Sequence, residues 1–395
     1  MHFKTLSDIP PSARVVLVRT DLNVPVMDGA VTDTTRLDRL APTLRFLQDK
    51  KFKVVILSHF GRPKGRSLAD SLKPIAAKLG QIMGEDIAFA DECSGPVAMS
   101  AVEALGLGKI LVLENLRFHP DEEKNDLAFA GELAKLGDAY VNDAFSVSHR
   151  AHASVEALAR LLPCYAGFLM QEELNALTAA LENPQRPVMG IIGGSKISSK
   201  LGILQHLVTR VDYLFLGGGM QNTFFMARGI EIGKSLCEPD LVDEAKRVMA
   251  AAEKAGCKII LPNDRVAVTQ FGPNVPFEIV AFDALKPEQE AVDIGPGAVA
   301  QAREILQSCK TVLWNGPMGR SEVKPFDNGT NDLARAVAEL TRAKKLLSVA
   351  GGGDTAGALE QAGVAKDFSY ISAAGGAFLE WLEGKTLPGV AALMR

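Results

Sequence analysis

The chain has 395 residues, 47% of them hydrophobic and 23% charged, with a net charge of -4 and a pI near 6.0. That length suggests two to three domains, each able to bury its own core. The mild acidity argues against bulk nucleic-acid or membrane-surface binding, which needs a cationic face.

In the first half, short apolar runs with β-like composition end in charge. Val15–Val18 leads to Arg19, Asp21 and Asn23, and Val54–Leu57 leads to His59 and Arg62. Helical spacing follows over Leu72–Leu79. Ile110–Leu113 then leads to Glu114, Asn115 and Arg117, and Tyr140-Val141 to Asn142, Asp143 and Arg150. Such runs alternating with amphipathic stretches signal βαβ units around a parallel sheet. Gln171 to Asn183 reads as a helix with Leu174, Leu177 and Leu181 on one face, stopped by Pro184. The best domain boundary lies near residue 184. The helix either couples two sheets or is an ordinary surface helix; spacing alone supports both.

In the second half, four runs end in glycine. Pro187–Ile192 precedes Gly193-Gly194, and Tyr213–Leu216 precedes Gly217-Gly218-Gly219. A helical stretch, Leu241–Ala250, intervenes. Thr311–Trp314 then precedes Asn315-Gly316-Pro317, and Leu346–Val349 precedes Gly351-Gly352-Gly353-Asp354. Phe368–Ser372 runs into Ala373-Ala374-Gly375-Gly376, followed by a helix around Ala377 to Glu383 and a Pro388-Gly389 tail. In an open parallel sheet, strand C-termini share the edge where ligands bind. Glycine there lets backbone N–H groups approach an anion, and the next helix start adds positive dipole. Lys196 and Lys200 are four apart, so on the first turns of a helix they would share a face beside those amides. This half suits a nucleotide.

The other half suits a small polyanion. Arg36, Arg62, Arg117 and Arg150, with His59 nearby, fall at or after different strand ends, and arginine forks grip phosphate and carboxylate bidentately. Each alone reads as a surface charge; their convergence requires the proposed fold. Asp21 and Asn23 can accept from and donate to a substrate hydroxyl, or form a turn before Pro25. Asp354 is a candidate ligand for nucleotide-bound magnesium, or a helix cap with Thr355. His149 and His152 are three apart, a possible metal pair if helical, with capping or packing as the plainer role. Gly351-x-Gly353-x-x-Ala356 fits a loose dinucleotide fingerprint, but Ser372–Ala374 stands where its acidic residue belongs. No Ser-His-Asp or Cys-His arrangement indicates a covalent nucleophile. Five scattered cysteines without a C-x-x-C pair fit a reducing compartment and suggest no zinc site. No signal core or membrane-length apolar stretch is visible, so a cytoplasmic location is expected.

Together these segments resemble the phosphoglycerate kinases. The likeness is carried by Val18–Pro25, Ser58–Pro63, Leu113–Phe118, Asn142–Phe145, His149–Ser154, Gly193–Lys200, Gly217–Met220, Trp314–Gly319 and Gly351–Thr355, and runs from about residue 4 to the C-terminus. The resemblance implies two doubly wound, Rossmann-like parallel-sheet α/β domains joined by a helix, with a cleft between them. Residues 1–170, rejoined by 380–395, would bind the triose; 171–184 would be the interdomain helix; 185–379 would bind nucleotide. The implied reaction is reversible transfer of the acyl phosphate of 1,3-bisphosphoglycerate to ADP, giving ATP and 3-phosphoglycerate, in line and on domain closure. His59, Arg62, Arg117 and Arg150 would hold the non-transferred phosphate, Asp21 and Asn23 the C2 hydroxyl, and Arg36 the carboxyl end. Lys200 would hold the ADP phosphates, Glu322 the ribose, and Gly217, Gly218 and Gly219 the adenine pocket, with Asn315 also in the nucleotide site. Gly352, Gly353, Asp354 and Thr355 would serve phosphate and Mg2+, with Asp354 on the metal. Lys196, Arg36 and the Gly352-Gly353 amides would stabilise the phosphoryl group in flight. Members are usually monomers, with small-molecule substrates and no nucleic-acid or membrane partner. Three departures stand out: Ser199 where many members carry Asp, Arg320-Ser321 where an apolar residue and Phe usually precede the Glu, and Ala373-Ala374 where Thr-Gly is usual.

Overall fold

The protein is described by a computed structural model covering residues 2–27 and 29–394. It divides into two compact units, Met1–Leu174 with Thr386–Arg395, and Asn175–Lys385.

The first unit holds β1 (Val15–Arg19), a small hairpin of β2 (Val26–Met27) and β3 (Ala30–Val31), then β4 (Lys53–Leu57), β5 (Ala88–Ala90), β6 (Ile110–Leu113), β7 (Ala139–Asn142) and β8 (Cys164–Ala166). Six of these form a sheet in the order β5-β6-β4-β1-β7-β8, with every pairing parallel. Alternate residues of a strand face opposite sides. Val16 and Val18 enter one buried cluster and Leu17 another, because helices cover both faces. The strand order changes direction between β1 and β7, which opens a crevice at their C-terminal ends.

The second unit holds β9 (Val188–Ile192), β10 (Tyr213–Leu216), β11 (Lys258–Ile260), β12 (Asp264–Val268), β13 (Glu278–Ala281), β14 (Glu290–Ile294), β15 (Thr311–Asn315), β16 (Leu347–Gly351) and β17 (Tyr370–Ser372). Its main sheet runs β11-β10-β9-β15-β16-β17, all parallel, with the change of direction between β9 and β15. Strands β13-β12-β14 form a separate antiparallel sheet that the sequence reading did not anticipate.

Helix positions follow the expected periodicity with shifted ends. The helix expected at Leu72–Leu79 spans Lys73–Met83, and the one expected at Leu241–Ala250 spans Val242–Ala255. Both stop at a left-handed glycine, Gly84 or Gly256, whose missing Cβ removes the steric cost. The helix expected at Gln171–Asn183 begins earlier, at Phe168, and its regular part ends at Leu177. It then widens into a π turn over Thr178–Glu182 before Pro184. His149 and His152 do not lie on a helix: they occupy the turn between Phe145–Val147 and Ala153–Ala157. Helix Gly376–Leu382 packs on helix Leu201–Leu207. Among the described residues, no helix is long and apolar enough to cross a membrane.

Trp314 is fully buried in the second unit's core, and its Nε1 donates to Gly316 O at 2.8 Å. Trp314→Ala should therefore destabilise this unit by about 3–5 kcal/mol, read as a lowered urea midpoint.

Candidate active site

In the first unit, loops after β1, β4, β6 and β7 gather at one sheet edge and are stitched by side chains. Asn115 accepts from Phe60 N at 3.2 Å and Arg117 N at 3.0 Å, while its Nδ2 donates to Phe60 O at 2.7 Å and Asp70 O at 2.9 Å. Asn23 Oδ1 accepts from Gly61 N at 3.0 Å, and Arg117 donates to Gly61 O at 2.6 Å. Arg36, on the first turn of helix Thr35–Asp49, donates to the Asp21 carboxylate and to Asn23 O. Ser146 also donates to Asp21, at 2.6 Å. Asp21, Asn23 and Arg36 thus form one constellation.

His59, Arg117 and Arg150 converge with two residues outside the candidate set, Arg19 and His152, whose charges all bear on the His59 ring. Burial, then Arg19, Arg117 and Arg150, pushes the His59 pKa far below its ordinary value, so the ring is neutral. Burial and Arg19 likewise lower His152, to about 4. Arg117 Nε lies 3.1 Å from Glu123, and Arg150 Nε donates to His149 Nε2 at 3.3 Å. Arg62 stands exposed on the β4 loop. A patch of guanidinium groups around a neutral imidazole suits an anion, because the cations outnumber the nearby carboxylates.

In the second unit, the glycine turns differ from expectation in an instructive way. Three of them are packed backbone to backbone. A Cβ on Gly193 would fall 1.9 Å from Pro317 O, one on Gly218 would fall 2.4 Å from Gly194 O, and one on Gly316 would fall 2.2 Å from Gly193 O. Their amides are largely engaged: Gly193 N donates to Asn315 O, Gly217 N to Ile192 O, and Gly218 N to Met318 O. The fourth turn is open at Gly353, while a Cβ on Gly352 would fall 2.7 Å from Asn315 Nδ2. Gly352, with φ of +96°, caps helix Gly353–Gln361, and a Cβ on Gly353 would meet nothing within 4 Å. The first-turn amides of that helix have no partner within it, which makes an anion site.

A pocket of about 810 Å³ opens there, lined by Gly218, Gly219, Arg320, Glu322, Gly353 and Asp354 among others. That size fits a mononucleotide. Lys200 donates to Asn315 Oδ1, whose Nδ2 donates to Gly351 O at 2.6 Å. Burial lowers the Lys200 pKa, opposed by Asp354 and Glu383. Thr355 is buried and accepts from Gly316 N at 2.7 Å, bracing two turns against each other. Gly217 sits against the Met318 side chain. Lys196 and Lys200 do not share a helical face. The helix starts at Leu201, Lys200 is its cap, and Lys196 is exposed in the preceding loop. Glu238 sets that loop by accepting from Ser198 N at 2.9 Å and Ser198 Oγ at 2.6 Å, while Ser199 Oγ closes the turn on Lys196 O.

Sequence reasoning pointed to Arg320, Ser321 and Glu322 but missed the β14 and Phe271 segments that complete the far wall of the pocket. Arg320 lies 4.1 Å from the centroid of the Phe271 ring and pairs with Glu290 at 3.1 Å, while Ala291, Val292 and Asp293 come from β14. Nothing local in the sequence ties these segments together. Among the described residues, no group of three or more His, Cys, Asp or Glu is placed to hold a metal ion.

The phosphoglycerate kinase family model matches residues 6–385. A phosphoglycerate kinase of Rhodospirillum centenum is 55% identical over 394 residues, covering 100% of both chains. That of Azorhizobium caulinodans is 54% identical over 393 residues, covering 100% of this chain and 99% of the relative. The solved phosphoglycerate kinase of Coxiella burnetii aligns with a TM-score of 0.93 at 36% identity, covering 100% of this chain and 99% of that one. The Pyrococcus horikoshii enzyme aligns at 0.79 and 28%, covering 99% and 98%.

The buried histidines set a pH dependence. His152 titrates near 6.5 ordinarily and near 4 when folded, so between those values the unfolded chain binds more protons. Stability should fall as pH drops through that window, with His59 acting in the same direction. Urea midpoints measured across it should fall less steeply for His152→Gln than for the wild type; parallel curves contradict the assignment.

Proposed function

The chain belongs to the phosphoglycerate kinase family, and from that premise we propose how its residues carry out the reaction. The family moves the acyl phosphate of 1,3-bisphosphoglycerate to ADP, giving ATP and 3-phosphoglycerate in glycolysis. The observation that carries the residue-level reading is the division of chemistry between the units: clustered cations at one sheet edge, and an open helix start with a carboxylate-edged pocket at the other.

The first unit would bind the triose. His59, Arg62, Arg117 and Arg150 would hold the phosphate that is not transferred, Asp21 and Asn23 the C2 hydroxyl, and Arg36 the reacting carboxyl end. The second would bind the nucleotide. Gly218 and Gly219, backed by Gly217, would floor the base pocket, and Glu322 would take the ribose hydroxyls. Lys200, released from Asn315, would reach the phosphates. Gly352 and Gly353 would offer amides, and Thr355 would keep their turn in place.

Asp354 is exposed at the pocket edge and would hold magnesium. A single carboxylate fits that ion, which takes one or two carboxylates plus phosphate oxygens and water. When bound, the ion would neutralise phosphate charge.

The carboxylate leaving group and the ADP oxygen nucleophile are both competent, so no general base is needed. The protein must align them in line and neutralise the moving phosphoryl group. Lys196, exposed in its loop, would supply charge to that group, with Arg36 and the Gly352-Gly353 amides. Water would hydrolyse an acyl phosphate, so the reacting complex would exclude it by hinge closure. We also propose that the chain works as a cytoplasmic monomer. Its five unpaired cysteines, including buried Cys93, Cys257 and Cys309, support a reducing compartment.

A coupled assay of ATP-dependent 3-phosphoglycerate phosphorylation tests the activity directly. Lys196→Ala should lower kcat by roughly two decades or more with nearly unchanged nucleotide affinity. A loss of about tenfold or less would remove Lys196 from the transition state. Arg150→Ala should raise KM for the triose and leave KM for the nucleotide nearly alone; equal effects on both would contradict the division of labour.

A further inference from the structure

We propose that Glu122, Ser154 and Arg19 form a buried hydrogen-bond relay that fixes His59 in the tautomer carrying its proton on Nε2, making all three positioning residues for a phosphate donor in the first unit. The inference rests on the triose-phosphate reading of that unit, and it names a device within it.

Glu122 is fully buried and follows His119, within the short helix Pro120–Glu123. Its two carboxylate oxygens accept from Ser154 N at 2.9 Å and Ser154 Oγ at 2.6 Å. The Ser154 hydroxyl has one proton, and it donates that proton in the hydrogen bond to Glu122. The same oxygen then accepts from Arg19 Nε at 2.8 Å. Arg19 is only 1% exposed, at the end of β1, and its remaining nitrogens donate to Thr20 O and face His59 Nδ1 at 3.2 Å.

The decisive step is chemical. A guanidinium only donates hydrogen bonds. His59 Nδ1 must therefore accept, which places a lone pair there. In a neutral ring the single proton is then on Nε2, on the opposite side of the ring from Arg19. Burial and the surrounding Arg19, Arg117, Arg150 and His152 keep the ring neutral. Nε2–H is thus a permanent donor, suited to an oxygen of a phosphate monoester. Without the relay, Arg19 would keep only its bond to Thr20 O, its Nε would no longer fix the guanidinium plane, and the ring could carry its proton on either nitrogen.

Glu122 has the further role of counter-ion. Its burial raises its own pKa, opposed by Arg19, Ser154 and Arg117. It also lies 3.8 Å from His152 Nδ1. A buried carboxylate reached through a hydroxyl offsets the Arg19 charge while leaving the guanidinium face to the imidazole.

The test is a nitrogen-15 imidazole spectrum of the full chain between about pH 5 and 8, the span where an ordinary histidine titrates. His59 is identified by the loss of its signals in His59→Gln. The relay predicts one neutral Nε2–H tautomer across that range in the wild type, with the Nε2 signal shifting when 3-phosphoglycerate is added. A wild-type His59 that is protonated on Nδ1, or that titrates within the range, overturns the proposal without any relay variant having to fold. Ser154→Ala should mix the tautomers and raise KM for 3-phosphoglycerate about tenfold or more, the scale of one lost hydrogen bond to a charged group, with KM for ATP unchanged. An unchanged tautomer, or equal effects on both KM values, also overturns it. If the wild type shows the tautomer yet lacks phosphotransfer and ignores 3-phosphoglycerate, the functional reading fails and takes the relay's assignment to a triose site with it, while the hydrogen bonds themselves stand.

Discussion

In both units, parallel pairing brings every strand of the main sheet to an end along a single edge. That constraint gathers residues far apart in the chain. Asp21, His59, Arg117 and Arg150 follow four different strands, yet their loops are tied together by Asn23, Asn115, Arg117 and Ser146. The same rule brings the turns after β9, β10, β15 and β16 into contact in the second unit. The change of strand direction then opens the crevice in each case.

The two edges solve the problem of binding an anion by opposite means. The first buries guanidinium groups and keeps a neutral imidazole among them, with Glu122 as a deeply buried counter-charge. The second relies on backbone. Its glycine turns press so closely that side chains are excluded; Gly194, Gly218 and Gly219 still line the pocket, and Gly353 alone among its lining turn glycines would give a Cβ nothing to meet within 4 Å. Under the proposed reading, fixed side-chain charge suits a compact phosphate ester. A backbone cradle suits a polyphosphate that arrives with its own metal.

Particular residues show how far the sequence could be read. Continuous apolar runs marked the central strands of both main sheets, because a strand covered on both faces must be apolar throughout, whereas β5, β8 and β11, each of three residues, were not read. The helix start at Gly353 was legible because a glycine run followed by Asp and Thr marks such a start. Lys196 and Lys200 were misplaced on a common helical face, since the loop between them is shaped by Glu238, distant in sequence. The glycines of the other three turns were read as anion approaches, whereas most of their space is taken by neighbouring turns. Arg19 was visible only as a charge at a strand end, and Glu122 only as one acid among Asp121, Glu122 and Glu123. Local chemistry cannot say which acid is buried.

The sequence by itself determined the two α/β units, their parallel sheets and the family, because hydrophobic period, turn chemistry and ordered motifs are local properties. Only the tertiary structure decided which amides remain open, which guanidinium groups are buried, where the Arg320–Phe271 wall stands and which nitrogen of His59 accepts. Those outcomes depend on contacts between segments more than 30 residues apart, as with Arg19 and Ser154, separated by 135 positions, and no local pattern encodes them.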